Sequence, residues 1–277
     1  HNILKEIFMK IGVKNFDLGK RTIIMGILNL TPDSFSDGGE FNSIENALRQ
    51  VEKLIKEAVD IIDIGGESTR PNHTPVTEEE EIRRVIPIIK AIREKYDIPL
   101  SIDTYKGKVA EEAIKAGVNL INDVWGLKKD SYMAKVAGKY NIPCCIMHNR
   151  EDSNYNDDII NVMKKDLKQS IDLAIENGLS KENIILDPGI GFAKSYEDNL
   201  DVLNRLEELR DLGYPILLGT SRKSVIGNTL NLPPKERLEG TLATTALGIV
   251  KGCDFIRVHD VLENKRVAIM TDAIVRR

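Results

Sequence analysis

The sequence has few of the features that mark secreted, zinc-binding or membrane proteins. It holds three cysteines in 277 residues, two of them adjacent, and neither their number nor their spacing fits a disulfide framework or a zinc site. This usage favours a reducing, cytoplasmic setting. No apolar run approaches the length of a membrane span, and charges interrupt the first hydrophobic residues, unlike in a signal peptide. We therefore expect no membrane as a partner.

The chain also lacks an excess of positive charge. Its 39 Lys and Arg residues against 43 Asp and Glu residues give a formal net charge of −4, and the basic residues do not gather in one run. A nucleic-acid partner is therefore not expected. The sequence shows no linker, repeat or low-complexity segment. We expect one barrel domain over residues 21–277, preceded by a hairpin or extension over residues 1–20.

Eight short apolar runs of strand length occur along the chain. Because successive residues in them are hydrophobic, they are typical of strands buried on both faces, as in a parallel sheet. The runs are Ile23–Leu28, Ile61–Ile64, Leu100–Ile102, Leu120–Ile121, Cys144–Met147, Ile184–Leu186, Ile216–Leu218 and Phe255–Val258.

Helical patterns lie between most of these runs and indicate the fold class. Eight strands that alternate with helices predict a (β/α)8 barrel, that is, a TIM barrel. A doubly wound open sheet is the alternative, but no G-x-G-x-x-G follows the first strand. The alternating pattern of the first twenty residues predicts a hairpin that covers the barrel's N-terminal end. Helices are predicted at residues 43–59, within 78–96, within 105–117, at 131–140, and at Asp157–Asn177, Tyr196–Leu212, Glu236–Val250 and Val261–Val275.

Each apolar run ends in polar residues. One Asp or Asn after a strand is usually a turn former or a helix cap. Eight such endings on eight strands instead indicate a common mouth, because barrel enzymes build their sites at the carboxyl ends of the strands. The endings are Asn29, residues 65–71, Asp103, Asn122 with Asp123, His148, Asp187 with residues 188–192, residues 219–224, and Arg257 with His259.

The side chains of these endings suggest two chemistries. Asp103, Asn122 and Asp187 offer acceptors and one amide donor that suit the N–H edge of a flat nitrogen heterocycle, with a metal cage as the less favoured alternative. The set Lys223, Arg257 and His259 follows the last two strands, where barrels often bind phosphate. Surface ion pairs of Arg257 and His259 with Asp254 or Asp260, and a Schiff base on Lys223, are the alternatives.

Seven segments resemble blocks of the dihydropteroate synthase family, in that family's order. They are "GILNLTPDSFSDGG", "DIIDIGGESTRP", "SIDTYK", "INDVWG", "ILDPGIGFAKS", "GTSRKSVIG" and "FIRVHDV", and they cover the chain from about Ile23 to its end. The resemblance implies condensation of (7,8-dihydropterin-6-yl)methyl diphosphate with 4-aminobenzoate to give 7,8-dihydropteroate and diphosphate. It also implies assistance by Mg2+, inhibition by sulfonamides that mimic 4-aminobenzoate, and a homodimer.

The resemblance further implies roles for single residues. Arg257, His259 and Lys223 would be catalytic, and Asn29 would contribute to the Mg2+ site. The pterin and diphosphate would be bound by Thr69, Asp103, Asn122, Met147, Asp187, Phe192, Gly219, Lys223, Arg257 and His259. The 4-aminobenzoate side would comprise Phe35, Asp37, Ser68, Arg70, Pro71 and Ser224. One departure is that Asn72 and His73 follow "STRP", where the family usually has Gly; we expect His73 to be exposed and not catalytic.

Two other functions stay open on the residues alone. A methyltetrahydrofolate-dependent corrinoid methyltransferase would share the pterin-binding barrel but has no diphosphate leaving group, so Lys223, Arg257 and His259 argue against it. A pterin-binding relative without catalysis is the second alternative, and the intact set of matched positions argues against it. Within the loop after the first strand, we interpret Asn29 as fixed and Phe35 as part of a lid over the arylamine.

Overall fold

The computed structural model describes residues 7–30, 39–68 and 73–276, without the side chains of residues 39–42. The strands in these residues are β1 (Ile7–Ile11), β2 (Lys14–Leu18), β3 (Ile23–Ile27), β4 (Ile61–Ile64), β5 (Leu100–Asp103), β6 (Leu120–Asp123), β7 (Cys144–Met147), β8 (Ile184–Asp187), β9 (Leu217–Leu218) and β10 (Phe255–Val258). The helices are α1 (Gly39–Lys56), α2 (Glu78–Arg93), α3 (Gly107–Ala116), α4 (Ser131–Tyr140), α5 (Ile159–Glu176), α6 (Tyr196–Asn204), α7 (Ser224–Leu230), α8 (Leu238–Val250) and α9 (Val261–Val275).

The strands β3 to β10 form one parallel sheet in the order β8-β7-β6-β5-β4-β3-β10-β9. A parallel bridge between Leu186 of β8 and Ile216, next to β9, joins the two ends of this sheet. Helices alternate with the strands around the ring. The predicted (β/α)8 barrel is therefore confirmed, and the doubly wound open sheet is excluded.

The predicted helix Tyr196–Leu212 is wrong in its second half. α6 ends at Asn204, Arg205 leaves the helical conformation with φ −120° and ψ 22°, and a 3-10 helix covers Leu206–Leu212. The guanidinium of Arg205 donates at 2.6 Å to Asp158, the residue that caps α5. The helix therefore ends where Arg205 forms an ion pair with a neighbouring helix. The periodicity of hydrophobic residues along the sequence carries no information about such a pair.

Two further differences concern the segment before β10. The helix predicted from Glu236 begins at Leu238, after Arg237, whose guanidinium donates to the main-chain carbonyls of Arg222 and Leu232. α7 is absent from the predicted helices because its seven residues are too few to show a period. Within the described residues, no helix is both long enough and apolar enough to cross a bilayer.

The core lies in two layers, one between the sheet and the helices and one inside the barrel. The antiparallel hairpin β1–β2 belongs to the inner layer: its Met9, Ile11, Phe16 and Leu18 are buried and cluster with side chains from the barrel strands. Gly12 at the hairpin turn lies against Asn119, the residue before β6. The hairpin thus covers the N-terminal end of the barrel, as predicted, and the polar residues collect at the opposite end.

Candidate active site

Three acidic and amide side chains lie side by side at the carboxyl ends of neighbouring strands. Asp63 is on β4, Asp103 ends β5 and Asn122 lies on β6, in register with Asp103. All three are buried, and the side-chain amide of Asn122 donates to Asp63 Oδ2 at 3.3 Å. The parallel register therefore places Asp103 and Asn122 together as predicted. It adds Asp63, which the sequence prediction missed, although its signal was visible as the one acid inside an apolar run.

Arg257 on β10 binds this acidic group from across the barrel. Its Nε donates to Asp63 Oδ2 at 2.8 Å, and its Nη2 lies 3.4 Å from Asp103 Oδ2. Burial opposes the charged form, but the two carboxylates raise the pKa of Arg257 above its ordinary value. The alternative ion pairs of Arg257 with Asp254 or Asp260 are wrong, because its guanidinium points into the barrel mouth and Asp260 pairs with Arg222 instead.

Each of the two buried carboxylates has one oxygen that no hydrogen-bond donor among the described residues reaches. Asp63 Oδ1 and Asp103 Oδ1 are shielded from solvent and accept no hydrogen bond from them. Burial and the neighbouring charge of Asp63 raise the pKa of Asp103. A buried acceptor without a donor costs free energy, so an arriving N–H group is bound favourably here. These two oxygens are acceptors of the kind that a heterocycle's N–H edge requires, and its recognition here stays a prediction.

Asp187 and Lys223 form the opposite side of the mouth. Asp187 ends β8 and is buried; its Oδ1 accepts the main-chain N–H of Gly189 at 2.8 Å. Lys223 Nζ donates to the carbonyl of Ile190 at 2.7 Å and lies 5.2 Å from the centre of the Phe192 ring. Burial raises the pKa of Asp187 and lowers the pKa of Lys223 to about 8, and each group's charge opposes the other's shift.

The remaining pterin-side residues lie around this pair. Met147 is buried at the end of β7, in register with Asp187. A side chain at Gly219 would project between two functional groups, since a Cβ there would lie 3.8 Å from Arg257 Cβ and 3.9 Å from Lys223 Nζ. The structure therefore brings Asp103, Asn122, Met147, Asp187, Phe192, Gly219, Lys223 and Arg257 to one mouth.

His259 follows β10 and is held by a hydroxyl that the sequence prediction missed. The imidazole Nδ1 and the Oγ of Ser221 are 2.7 Å apart, and the same Oγ accepts the main-chain N–H of His259 at 3.1 Å. Ser221 is buried between Gly219 and Lys223 in the "GTSRKS" segment. It fixes both the ring and the main chain of His259 next to the strand that carries Arg257.

Two predicted polar endings serve the chain itself rather than the mouth. His148 is buried, with Nε2 at 2.8 Å from Asp166 and Nδ1 at 2.9 Å from Lys194. Asp123 accepts the main-chain N–H groups of residues 125 and 127 and so closes the turn after β6. Burial raises the pKa of Asp123 to about 7. These residues shape the loops behind the mouth.

The aminobenzoate side is described only in part. Ser68 and Ser224 are exposed, at the end of a described segment and at the start of α7. Phe35, Asp37, Thr69, Arg70, Pro71 and Asn72 lie outside the described residues, so their predicted roles stay predictions. His73, expected to be exposed, is only partly so: its side chain is 28% exposed, with Nε2 3.5 Å from the Glu67 carboxylate, and its expected lack of a catalytic role stays a prediction.

Comparisons with known proteins agree with this geometry. The family described as "Pterin binding enzyme" matches residues 25–259. The dihydropteroate synthase of Clostridium beijerinckii is 65% identical over 273 residues, which are 97% of this chain and 100% of that protein. The crystal structure of dihydropteroate synthase from Clostridium difficile in the presence of pteroic acid has a TM-score of 0.92 and 60% identity, covering 95% of this chain and 100% of that one. The enzyme from Xanthomonas albilineans with 4-aminobenzoic acid has a TM-score of 0.90 and 36% identity, covering 98% of each chain.

Proposed function

The chain belongs to the pterin-binding enzyme family and within it to the dihydropteroate synthases, and from this premise we propose how its barrel mouth works. The reaction transfers the pterin-methyl group of (7,8-dihydropterin-6-yl)methyl diphosphate to 4-aminobenzoate, giving 7,8-dihydropteroate and diphosphate. The observation that carries the assignment of roles is the buried group at the mouth. There Arg257 lies between Asp63 and Asp103, and one oxygen of each carboxylate has no hydrogen-bond donor among the described residues.

The pterin ring is held by its polar edge. Asp103 and Asp187 accept the ring's N–H groups from two sides of the mouth, and Asn122 adds an amide between them. Lys223, whose ammonium is already aimed by the carbonyl of Ile190, donates to the ring carbonyl. The face of the ring lies against Met147, Phe192 and the guanidinium plane of Arg257. The buried surroundings strengthen each of these charged contacts.

The departing diphosphate is bound at the ends of the last two strands. Arg257 and His259 meet its oxygens, with Thr69 as a further ligand implied by the family resemblance. An arylamine is a weak nucleophile, so the CH2–O bond breaks largely before attack, and its electron pair leaves with the diphosphate. The amine nitrogen then bonds the methylene carbon and loses its proton to water. Stabilising the leaving charge is thus the main catalytic task, and no general base is required.

Asn29 is the protein ligand we propose for Mg2+. Its main chain is fixed from both sides by Gln50 of α1, because Asn29 N donates to Gln50 Oε1 at 3.1 Å and Gln50 Nε2 donates to Asn29 O at 2.9 Å. The exposed amide offers an oxygen, the donor type that Mg2+ prefers when substrate phosphates and water supply its other ligands. The donor set therefore fits Mg2+, which would neutralise charge on the diphosphate when bound.

The reaction is tested by diphosphate release with each component omitted in turn. Release should require dihydropterin diphosphate, 4-aminobenzoate and Mg2+ together, and a sulfonamide should inhibit it in competition with 4-aminobenzoate. Folded protein that binds a pterin but releases no diphosphate would identify the non-catalytic relative. Methyl transfer from methyltetrahydrofolate to a corrinoid would instead identify the methyltransferase.

We further propose that two copies of the chain associate through α8 and α9. These helices pack against each other, and both expose large apolar side chains to solvent: Leu247 and Val250 on α8, and Ile269, Met270 and Ile274 on α9, between 36% and 62% exposed. An apolar patch of this kind is typical of an interface between subunits. The double change Ile269→Glu and Met270→Glu should yield monomers in analytical ultracentrifugation; an unchanged sedimentation of a dimer would contradict the assignment, as would a monomeric wild type.

A cytoplasmic setting remains our proposal for where the enzyme works. Cys144, Cys145 and Cys253 are free thiols buried in the core. Free thiols of this kind are typical of proteins in a reducing compartment. Fractionation of the source cells, with the protein in the cytosolic fraction, is the result we expect.

A further inference from the structure

The turn between β8 and α6 is held against the end of the neighbouring strand. Gly189 has φ +70°, and a Cβ there would lie 2.0 Å from the carbonyl oxygen of His148. Ala193 adopts φ +50°, a conformation that an L-residue enters only when its surroundings compensate. Phe192, which lines the pterin slot, lies between these positions. The shape of this part of the pterin site therefore depends on what holds the turn.

Lys194 binds this turn from inside. Its Nζ lies 3.1 Å from the carbonyl oxygens of Gly189 and Phe192 and 2.9 Å from Nδ1 of His148. Burial lowers the pKa of Lys194 to about 7, so below that pH its amine is an ammonium group, and its three N–H donors can go to these three acceptors at once. None of the three acceptors is a carboxylate. The ammonium group therefore holds the turn through hydrogen bonds and not through an ion pair.

His148 and Asp166 orient this lysine. Because an ammonium has no lone pair, His148 Nδ1 is the acceptor and its proton lies on Nε2, which donates to Asp166 at 2.8 Å. Arg150 Nε lies 3.4 Å from Asp166 Oδ2, so an ion pair also holds the Asp166 carboxylate in place. Burial lowers the pKa of His148 to about 4. The charge of Lys194 also lowers this pKa, whereas the hydrogen bond to Asp166 raises it. The imidazole therefore stays neutral and keeps its acceptor toward Lys194.

The same turn aims the cation that meets the pterin. The Ile190 carbonyl accepts Lys223 Nζ at 2.7 Å, and the Ala193 carbonyl accepts the Tyr155 hydroxyl at 2.8 Å. We propose that Lys194, oriented by His148 and Asp166, is a positioning residue for pterin binding that fixes the turn carrying Phe192 and thereby the aim of Lys223. The inference rests on the proposed function for the identity of the ligand.

The test measures binding of 6-hydroxymethylpterin by isothermal titration calorimetry, without 4-aminobenzoate, at a pH below the Lys194 pKa of about 7 and above the His148 pKa of about 4. Lys194→Met should weaken binding roughly tenfold to a hundredfold, the range for a lost hydrogen bond to a charged group. In turnover it should raise KM for the dihydropterin diphosphate and leave KM for 4-aminobenzoate unchanged. Lys168→Met is the matched control, because Lys168 lies on the same helix as Asp166 but is 63% exposed and pairs with Asp172 instead. Its pterin affinity should equal that of the wild type.

Two variants of His148 separate orientation of Lys194 from simple packing. An Asn amide reaches the place of Nδ1 and can still accept from Lys194, whereas a Gln amide reaches the place of Nε2 and serves only Asp166. His148→Asn should therefore keep pterin affinity near that of the wild type, and His148→Gln should lose as much as Lys194→Met. This pair decides the question even if Lys194→Met does not fold.

The outcomes for this inference and for the enzyme activity differ. Wild-type affinity in Lys194→Met, or equal losses in the two His148 variants, would overturn the positioning role and leave the proposed reaction standing. Wild-type protein that binds the pterin but releases no diphosphate would count against the proposed reaction alone.

Discussion

At the mouth of the barrel, single residues matter because their charges are buried together. Asp63, Asp103 and Asp187 bring three carboxylates, and Lys223 and Arg257 bring two cations, all withdrawn from bulk water to some degree. Removing one partner of such a group leaves the other charge unpaired, which costs more than the loss of an exposed ion pair. The effect of a substitution here therefore comes mainly from the buried charge that loses its partner.

Asp63→Asn tests whether Asp63 sets the position of Arg257. The change keeps the shape of the side chain but removes the charge that holds Arg257 Nε at 2.8 Å. We expect kcat/KM for the dihydropterin diphosphate to fall roughly tenfold to a hundredfold, since a charged hydrogen bond is lost. Asp254→Asn is the control at the other end of β10, where the carboxylate accepts the main-chain N–H of Ile216. Equal kinetics of the two variants would contradict this role of Asp63.

The pH profile tests the charge state of Lys223. Burial lowers its pKa to about 8, the carboxylate of Asp187 opposes this shift, and Arg257 adds to it. The ammonium form is therefore present below this pKa and is lost as the pH rises through it. We expect kcat/KM for the dihydropterin diphosphate to decline with an apparent pKa near 8. Lys223→Gln should show a low kcat/KM without this decline. A wild-type profile that stays flat through alkaline pH would contradict the assignment.

At the scale of elements, close backbone contacts decide what local preferences leave open. Gly138 lies inside α4, where alanine would be the better helix former. A Cβ there would lie 1.7 Å from the carbonyl oxygen of Asn177, the residue after α5. The packing of two helix ends therefore overrides the helix propensity of a single position.

Gly138→Ala should lower the free energy of unfolding, although propensity alone predicts a gain. We expect a loss of about 1–3 kcal/mol, as for other overpacked sites, with kcat unchanged. Gly178→Ala is the contrast: Gly178 has φ +102°, and a Cβ there would meet no atom within 3.6 Å, so only backbone strain is added. Chemical denaturation measures both. A stability gain in Gly138→Ala would show that the two helix ends separate at little cost.

The same scale shows which elements could be predicted from the sequence. The eight barrel strands were predicted because each is an apolar run long enough to stand out, and α9 was predicted with its observed ends, Val261–Val275. The end of α6 was not, because it coincides with the ion pair between Arg205 and Asp158. The role of His148 was missed for the same reason: a side chain after a strand can turn toward the mouth or toward the helices behind it, and only its partners decide which.

At the scale of the whole molecule, the barrel needs a cover at the end opposite the site. Phe16 on β2 is 4% exposed and packs with the inner layer of the barrel, whereas Phe8 on β1 is 52% exposed. The alternation along the hairpin predicted this cover from the sequence. What the sequence could not show is the meeting of residues far apart along the chain, such as Arg257 and Asp63, which are 194 positions apart.

Phe16→Ala and Phe8→Ala form a matched pair that tests the cover. Phe16→Ala should destabilise the fold by about 3–5 kcal/mol, the cost of removing a buried phenyl ring. Phe8→Ala should change stability by less than about 0.5 kcal/mol, because its ring is largely in water. Both variants should keep the KM values of the wild type at a temperature where they are folded. Similar melting temperatures for the two variants would contradict the sealing role of β1–β2.

The central claim is that the mouth works by stabilising the departing diphosphate, with Arg257 as its main cation. The most direct test is the single-turnover rate of diphosphate release at saturating substrates, in the wild type and in Arg257→Ala with an unchanged circular dichroism spectrum. We expect one diphosphate per dihydropteroate formed and a rate roughly 10²–10³-fold lower in the variant. Equal rates in the two proteins would contradict it.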